Sequence, residues 1–143
     1  MDSTIYSATA TAWGGRDGRV TSTDKRLDVT LSVPAAMGGD DGAGSNPEQM
    51  FAAGYAACFH SALRNTAQSR RLDVSESAVS VTISLVGSVK ERRLSMAGTI
   101  EAELPGLARD TAMELLEATH QLCPYSVVTR GNMPVELILS EES

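Results

Sequence analysis

The chain has 143 residues, of which 42% are hydrophobic, and a formal net charge of −6 at pH 7. The length suits one domain and the hydrophobic content suits a packed core, so we expect a single domain over residues 1–143 rather than a disordered chain. An acidic chain without a basic stripe is a poor match for a phosphate backbone, which argues against a nucleic-acid partner.

The sequence offers no candidate for membrane attachment or export. No apolar stretch approaches the length of a membrane span, and the first residues lack the basic and apolar regions of a secretory signal. We therefore predict a cytoplasmic protein without a membrane partner. In that reducing compartment a structural disulfide is disfavoured, whereas a transient or catalytic one is allowed.

Three short strands are predicted at the start of the chain. Residues 5–12 and 27–33 alternate as half-buried strands do, and Val20 begins another strand between them. Residues 14–18, Gly-Gly-Arg-Asp-Gly, indicate a turn. The glycine-rich residues 34–45 predict a loop. They mimic a phosphate-binding loop but carry two acids and no lysine, so we interpret them as a flexible loop.

A long helix is predicted from Asn46 to about residue 70. Asn46 is a favourable N-cap, Pro47 suits the first helical position, and Gln49 lies where a capping-box partner belongs. Alanine and glycine dominate residues 52–57, which leaves the helix with little bulk on several faces. A helix that is apolar on all sides must be buried, so we expect a second helix, for example from a partner chain, to cover it.

The second half of the chain predicts two strands, a helix and a closing strand. Residues 79–85 and 94–102 alternate and form a predicted hairpin. Proline and glycine at 105–106 end it, and residues 133–139 form the last strand. Between them, apolar residues recur on one face of a helix that Pro124 ends: Ala108, Ala112, Leu115, Leu116, Thr119, Leu122 and Cys123. The order βββαββαβ indicates an α+β fold.

The two cysteines lie in different predicted helices. Such a pair is the minimum for a peroxide-reducing dithiol cycle, although two buried thiols can also be no more than small hydrophobic residues. Cys58 lies mid-helix, gains little from the helix dipole and needs a cation from elsewhere to become a thiolate. Cys123 lies at a helix C-terminus, where the dipole favours the neutral thiol, so it suits the second, resolving role.

A zinc-binding module is an alternative use of the same thiols. His60 beside Cys58 and His120 beside Cys123 would complete a set of four ligands. Cys58 and His60, however, point about 200° apart around their helix and cannot reach one metal without unwinding. We therefore predict no metal and interpret both histidines as partly exposed helix residues. A non-catalytic dimeric stress protein is the other alternative.

Several segments resemble the organic hydroperoxide resistance (Ohr) branch of the Ohr/OsmC family, over essentially the whole chain. They are residues 8–11, 14–18, 46–63, 123–126 (Cys-Pro-Tyr-Ser) and 129–132 (Thr-Arg-Gly-Asn). The resemblance implies an OsmC-like fold. It is an intertwined α/β homodimer with two long central helices packed against β-sheets and two active sites at the interface.

The resemblance also implies a function and residue roles. Organic hydroperoxides, both alkyl and fatty-acid, are reduced to alcohols through a Cys58 sulfenate and a Cys58–Cys123 disulfide. Cys58 matches the peroxidatic cysteine and Cys123 the resolving one. Arg16 matches the arginine that stabilises the thiolate, and Glu48 the carboxylate that holds this arginine. The resemblance further implies that no cofactor is bound and that dihydrolipoyl groups on a lipoylated partner protein act as the reductant.

Two expectations concern the surroundings of Cys58. Phe51 and Tyr55 precede it within two helical turns and, with Met50, could wall an apolar substrate pocket, although ordinary core packing is the alternative reading. Trp13 departs from the family pattern and bears on the size of the pocket mouth.

The spacing of Glu48 and Cys58 bears on how the site is assembled. The two residues are ten positions apart, about 15 Å along one helix, too far for one arginine to contact both. With the resemblance, this predicts two helices packed antiparallel across a twofold axis, so that Arg16 and Glu48 of one chain meet Cys58 of the other.

Overall fold

The computed structural model describes residues 2–140, and the chain divides into two compact units between Met50 and Phe51. A single domain over residues 1–143 therefore stays a prediction. The α+β class is confirmed, with two three-stranded sheets. The predicted order lacks one α-helix, since residues 2–140 form three. The elements are β1 (Ala10–Trp13), β2 (Arg19–Ser22), β3 (Asp28–Thr30), α1 (Pro47–Ser69), β4 (Ala78–Ser88), β5 (Arg93–Glu103), α2 (Arg109–Leu122), α3 (Pro124–Thr129) and β6 (Val135–Leu139).

The first unit contains an antiparallel sheet in the order β1-β2-β3. The first strand is shorter than predicted and begins at Ala10, because its pairing with β2 ends where Ala10 faces Ser22. Ile5, predicted to begin this strand, is 100% exposed. The alternation of alanine and threonine therefore predicted a strand but not its first residue, since alanine buries little apolar area to mark where the strand begins.

Helix α1 begins as its first residues predict. The Asn46 Oδ1 accepts a hydrogen bond of 2.9 Å from the backbone N–H of Gln49, and Pro47 is the first helical residue. The predicted capping box is wrong in its second half. The Gln49 Oε1 accepts from the Ser45 hydroxyl at 2.8 Å. The N-terminus of α1 is thus fixed by one side-chain cap.

The second unit is built on a sheet in the order β4-β5-β6. Strands β4 and β5 form the predicted hairpin, with Val81 facing Ile100, and β6 runs parallel to β5. The alternation predicted for β4 is confirmed, because its apolar side chains are more buried than their neighbours. The core joins α1, β5 and α2 through these buried residues: Tyr55, Phe59, Leu63, Ala67, Ile100, Ala102, Leu104, Ala112, Leu115, Leu116 and Cys123.

The apolar face of α2 agrees with the sequence except at its two ends, because Ala108, predicted on this face, is the exposed N-cap residue that precedes the helix. Leu115, Thr119 and Cys123 are fully buried, but Leu122, predicted on the same face, is 64% exposed. Here the core is closed by Cys123 and by the buried Ser126 of α3, the helix that the periodicity did not predict. Within residues 2–140, no helix combines the length and the apolar character needed to cross a bilayer.

Replacing Leu115 with alanine should lower the free energy of unfolding by about 2–5 kcal/mol, because a fully buried side chain is lost. Leu122→Ala in the same helix is the matched control and should cost about 0.5 kcal/mol or less. Urea unfolding of both variants at one protein concentration measures the difference. A larger loss in Leu122→Ala would contradict the assigned core face.

Candidate functional site

Arg16 is presented by a tight turn that only this local sequence permits. It lies in a short 3-10 turn, Gly15–Asp17, between β1 and β2. Gly14 and Gly15 have φ angles of 78° and 57°, a region that glycine adopts without strain. A Cβ on Gly18 would lie 1.7 Å from the Trp13 carbonyl oxygen, so a side chain there would open the turn.

Arg16 and Glu48 form a bidentate ion pair within the first unit. The Arg16 Nη1 donates to Glu48 Oε1 at 2.7 Å, and Nη2 donates to Oε2 at 3.1 Å. Glu48 lies in the first turn of α1, where the helix dipole favours an acidic side chain. Nη1 also lies 3.9 Å from the Met37 Sδ, a contact that the sequence did not indicate. Two parallel hydrogen bonds fix both the position and the plane of the guanidinium.

The two thiols meet in the second unit. The Cys123 Sγ donates to the Cys58 Sγ at 3.8 Å, and neither cysteine is in a disulfide. A disulfide requires roughly 2.05 Å between the sulfurs, so small side-chain rotations separate the dithiol from the bonded form. Cys123 is fully buried and Cys58 is half-buried. Chemistry that begins at the more accessible thiol therefore starts at Cys58.

Within its own unit, the Cys58 thiol is held in the neutral form. Burial raises its pKa above the ordinary value, and the neighbouring Cys123 thiol raises it further. The backbone N–H of Tyr125, in the first turn of α3, points at the sulfur and acts in the opposite direction. The net direction is upward, so a reactive Cys58 thiolate requires an additional positive charge.

Cys123 occupies the junction of two helices. Its N–H donates to the Thr119 carbonyl at 2.9 Å as the C-cap of α2, and its carbonyl accepts from the Val127 N–H at 2.9 Å as the N-cap of α3. The helix end predicted at Pro124 is confirmed. The C-terminus of α2 is not the only helix end at Cys123, because the N-terminus of α3 lies on the other side of the same residue.

Three aromatic rings pack together beside the thiols. Tyr55 is fully buried, and its ring centroid lies 6.3 Å from that of Phe51 and 5.5 Å from that of Tyr125. The Tyr125 hydroxyl lies where Gly54 lacks a side chain, since a Cβ there would be 2.7 Å from the oxygen. Tyr55 thus belongs to the core, whereas Phe51 is partly buried at its edge. Met50 ends the first unit.

The histidines bind two different serines. The His60 Nε2 lies 2.9 Å from the Ser77 hydroxyl, and the His120 Nδ1 lies 2.7 Å from the Ser126 hydroxyl. Among residues 2–140, no three histidine, cysteine or acidic side chains converge as a metal centre would require. The zinc alternative therefore finds no ligand set in the part of the chain that the structure describes.

Three residues close to the thiols have no role in the redox site predicted from the sequence: His120, which was weighed only as a zinc ligand, Tyr125 and Ser126. Tyr125 and Ser126 belong to the Cys-Pro-Tyr-Ser run, which was noted as a motif without a role for either side chain. Burial, and then the charge of Arg130, lower the pKa of His120 below its ordinary value. The signal available in the sequence was a serine three residues after a helix-ending cysteine, within reach of a histidine on the preceding turn.

The chain is similar to known proteins over most of its length. A family model described as OsmC-like protein matches residues 38–138. An organic hydroperoxide resistance protein of Xanthomonas axonopodis pv. citri is 43% identical over 143 residues, covering 95% of each chain.

Solved structures agree with the fold. One described as an organic hydroperoxide resistance protein OsmC from Legionella pneumophila has a TM-score of 0.90 at 37% identity and covers 97% of this chain and 100% of its own. The organic hydroperoxide resistance protein OhrB of Bacillus subtilis has a TM-score of 0.85 at 40% identity, covering 96% of this chain and 100% of its own. The predicted OsmC-like fold is confirmed for the single chain, and the intertwined homodimer stays a prediction.

The lowered pKa of His120 predicts a pH dependence of stability. The unfolded chain, with an ordinary histidine pKa of 6.5, takes up this proton first as the pH falls. The contribution of neutral His120 to the free energy of unfolding is therefore fully present above pH 6.5, and it is lost as the pH falls toward the folded-state pKa. His120→Gln, which retains a hydrogen-bonding group, should flatten the decline in the free energy of unfolding below pH 6.5. Urea unfolding across this range measures it, and equal slopes in both proteins would contradict the shift.

Proposed function

The chain belongs to the OsmC-like family, with organic hydroperoxide resistance proteins as relatives over nearly its full length, and on that premise we propose that it is a thiol peroxidase. It reduces organic hydroperoxides to alcohols. The observation that carries the proposal is the approach of the Cys58 and Cys123 sulfurs to 3.8 Å across two different helices. Two thiols at that distance can exchange between dithiol and disulfide without moving the backbone far.

The reaction begins at the Cys58 thiolate. Its sulfur attacks the terminal oxygen of ROOH, the O–O bond breaks, and the leaving alkoxide takes a proton to become ROH. Cys58 is then a sulfenic acid. The Cys123 thiol attacks this sulfur, and a disulfide and one water are formed. A dithiol reductant reopens the disulfide by exchange, and we assign this role to dihydrolipoyl groups on a lipoylated partner protein, as the family resemblance implies.

Arg16 supplies the charge that Cys58 lacks in its own unit. Burial raises the pKa of Cys58, and a guanidinium beside the sulfur would favour the thiolate. Glu48 holds Arg16 by two hydrogen bonds and belongs to the same helix as Cys58, ten residues away. We therefore propose a homodimer in which Arg16 and Glu48 of one chain serve Cys58 of the partner chain.

The substrates are hydroperoxides with an apolar tail. Phe51 and Tyr125 lie at the edge of an aromatic cluster whose centre is the buried Tyr55, and Met50 precedes Phe51 in the same helix. Each methylene removed from water contributes about 0.8 kcal/mol. A few carbons would therefore favour tert-butyl or fatty-acid hydroperoxides over hydrogen peroxide. Trp13, which is exposed, is the residue that could adjust this preference.

The two thiols should have separable roles. Cys58→Ser should abolish peroxide reduction, because Cys58 is the group that attacks the hydroperoxide in the proposed reaction. Cys123→Ser should allow one round of reduction and stop turnover with a dithiol reductant. Thiol titration and mass spectrometry after one equivalent of cumene hydroperoxide measure both, and the wild-type protein should lose two thiols per chain. Turnover by Cys58→Ser would contradict the role of Cys58 as the thiol that attacks the peroxide. An unchanged number of thiols in the wild type would favour the non-catalytic alternative.

Arg16 should control the reactivity of Cys58. Arg16→Ala should slow alkylation of Cys58 by iodoacetamide at neutral pH by roughly ten- to a thousand-fold. This is the factor by which loss of one nearby positive charge lowers the fraction of thiolate. Arg19→Ala is the matched control, because Arg19 forms a similar bidentate pair with Asp28 in the same unit, and it should leave the rate unchanged. Equal rates in the two variants would remove Arg16 from the site.

Mixing chains tests whether each site is shared. Cys58→Ser chains should be inactive and Arg16→Ala chains strongly impaired, but after subunit exchange a mixed dimer contains one complete site. Recovery of activity is the expected result. No recovery, with exchange demonstrated by mass spectrometry, would mean that each chain builds its own site.

A further inference from the structure

A buried hydroxyl beside the thiols has no role in the reaction described above. The Ser126 hydroxyl is fully buried and lies 2.8 Å from the Tyr55 hydroxyl and 2.7 Å from the His120 Nδ1. The Tyr55 hydroxyl also lies 3.4 Å from the Thr129 hydroxyl, which donates to the Ser126 carbonyl at 3.2 Å. We call these four residues, Tyr55, His120, Ser126 and Thr129, the Ser126 network.

The Ser126 network joins the chain segments that carry the thiols. Tyr55 lies in α1, three residues before Cys58. His120 lies in the last turn of α2, three residues before Cys123, and Ser126 lies in α3, three residues after it. One hydroxyl group thus links the helix of Cys58 to both helices that meet at Cys123.

A polar network is not needed to fill this space. An alanine and a phenylalanine would occupy nearly the same volume without buried hydroxyls, which contribute to stability only when they are fully hydrogen-bonded. What hydrogen bonds add over apolar contact is direction, because they fix the orientation of the groups they join. The groups joined here are the helices whose relative position sets the distance between the two sulfurs.

We infer that Ser126, through its hydrogen bonds to Tyr55 and His120, is a positioning residue that holds Cys123 within reach of Cys58 for disulfide closure. This inference rests on the proposed function. In the step concerned, the Cys123 sulfur attacks the Cys58 sulfenic acid, the S–O bond breaks, an S–S bond forms, and hydroxide with the thiol proton leaves as water. Ser126 touches neither sulfur. It acts by keeping the resolving thiol in place while Cys58 carries the extra oxygen.

The experiment separates closure from peroxide reduction. Full-length wild type, Ser126→Ala and Tyr55→Phe are reduced and then treated with one equivalent of tert-butyl hydroperoxide. Dimedone traps the remaining sulfenic acid, and mass spectrometry measures it against the disulfide over time. Ser126→Ala should close about 3- to 10-fold more slowly than wild type, the effect of about one lost hydrogen bond. It should therefore accumulate sulfenic acid, with consumption of the first equivalent of peroxide unchanged. Tyr55→Phe should show a smaller effect in the same direction.

Ser77→Ala is the matched control. It removes the other serine–histidine hydrogen bond of the unit, that of Ser77 with His60, and should close at the wild-type rate. The positioning role would be overturned if Ser126→Ala forms the disulfide as fast as wild type. It would also be overturned if Ser77→Ala is slowed as much as Ser126→Ala. If Ser126→Ala does not fold, Tyr55→Phe decides the question, and closure at the wild-type rate in that variant overturns the role.

A second oxidant keeps the inference distinct from the proposed function. Diamide converts a dithiol to a disulfide and is itself reduced to a hydrazine, so it reports the geometry of the two thiols without a hydroperoxide. If wild type loses no thiol to the hydroperoxide, the proposed function fails. Slower closure of Ser126→Ala with diamide supports the positioning role in either case, and equal rates overturn it.

Discussion

The junction at Cys123 and Pro124 is the constraint on which the thiol site depends. Proline has no N–H and cannot continue α2, but its fixed φ suits the first position of a new helix. The chain therefore ends one helix and begins another around a single residue, and Cys123 uses its N–H in α2 and its carbonyl in α3. A cysteine fixed at both backbone groups has only its side chain free to move. This accounts for how a fully buried thiol lies 3.8 Å from a sulfur on another helix.

In the proposed reaction, the thiols and the cation that would activate them belong to different units of the chain. The unit with the thiols supplies one backbone N–H to Cys58, and burial outweighs it. The unit with Arg16 supplies a guanidinium whose plane is already set by Glu48. Because Glu48 compensates the charge, the field of this arginine is strong only at short range. Under the proposed function, this guanidinium would therefore favour a thiolate only when it lies next to the sulfur.

Elements with a long regular pattern were predictable from the sequence, and short or irregular ones were not. The alternation of β4 and the caps around Pro47 act locally, so the sequence contains the information needed to place them. Helix α3 has only six residues and no periodicity of its own. The exposure of Leu122 depends on α3, so it could not be predicted without that helix.

The candidate site was predictable only in part, for a similar reason. The thiols and their spacing could be read directly, and the roles of Arg16 and Glu48 came from the family resemblance. The partners of Ser126 could not be found in this way, since Tyr55 is 71 residues away and only the packed chain brings the two hydroxyls together. Non-local hydrogen bonds of this kind leave no periodic trace in a sequence.

The contact between Gly54 and Tyr125 has a consequence for the divergence of such chains. A methyl group at position 54 would lie 2.7 Å from the tyrosine oxygen and 3.3 Å from the ring carbon that bears it. Loss of the oxygen would relieve the closer of these contacts. Positions 54 and 125 are therefore coupled by shape: a lineage that acquires alanine at the first is under pressure to exchange tyrosine for a shorter side chain at the second. Covariation between the two columns of an alignment would be the evolutionary record of this steric fit.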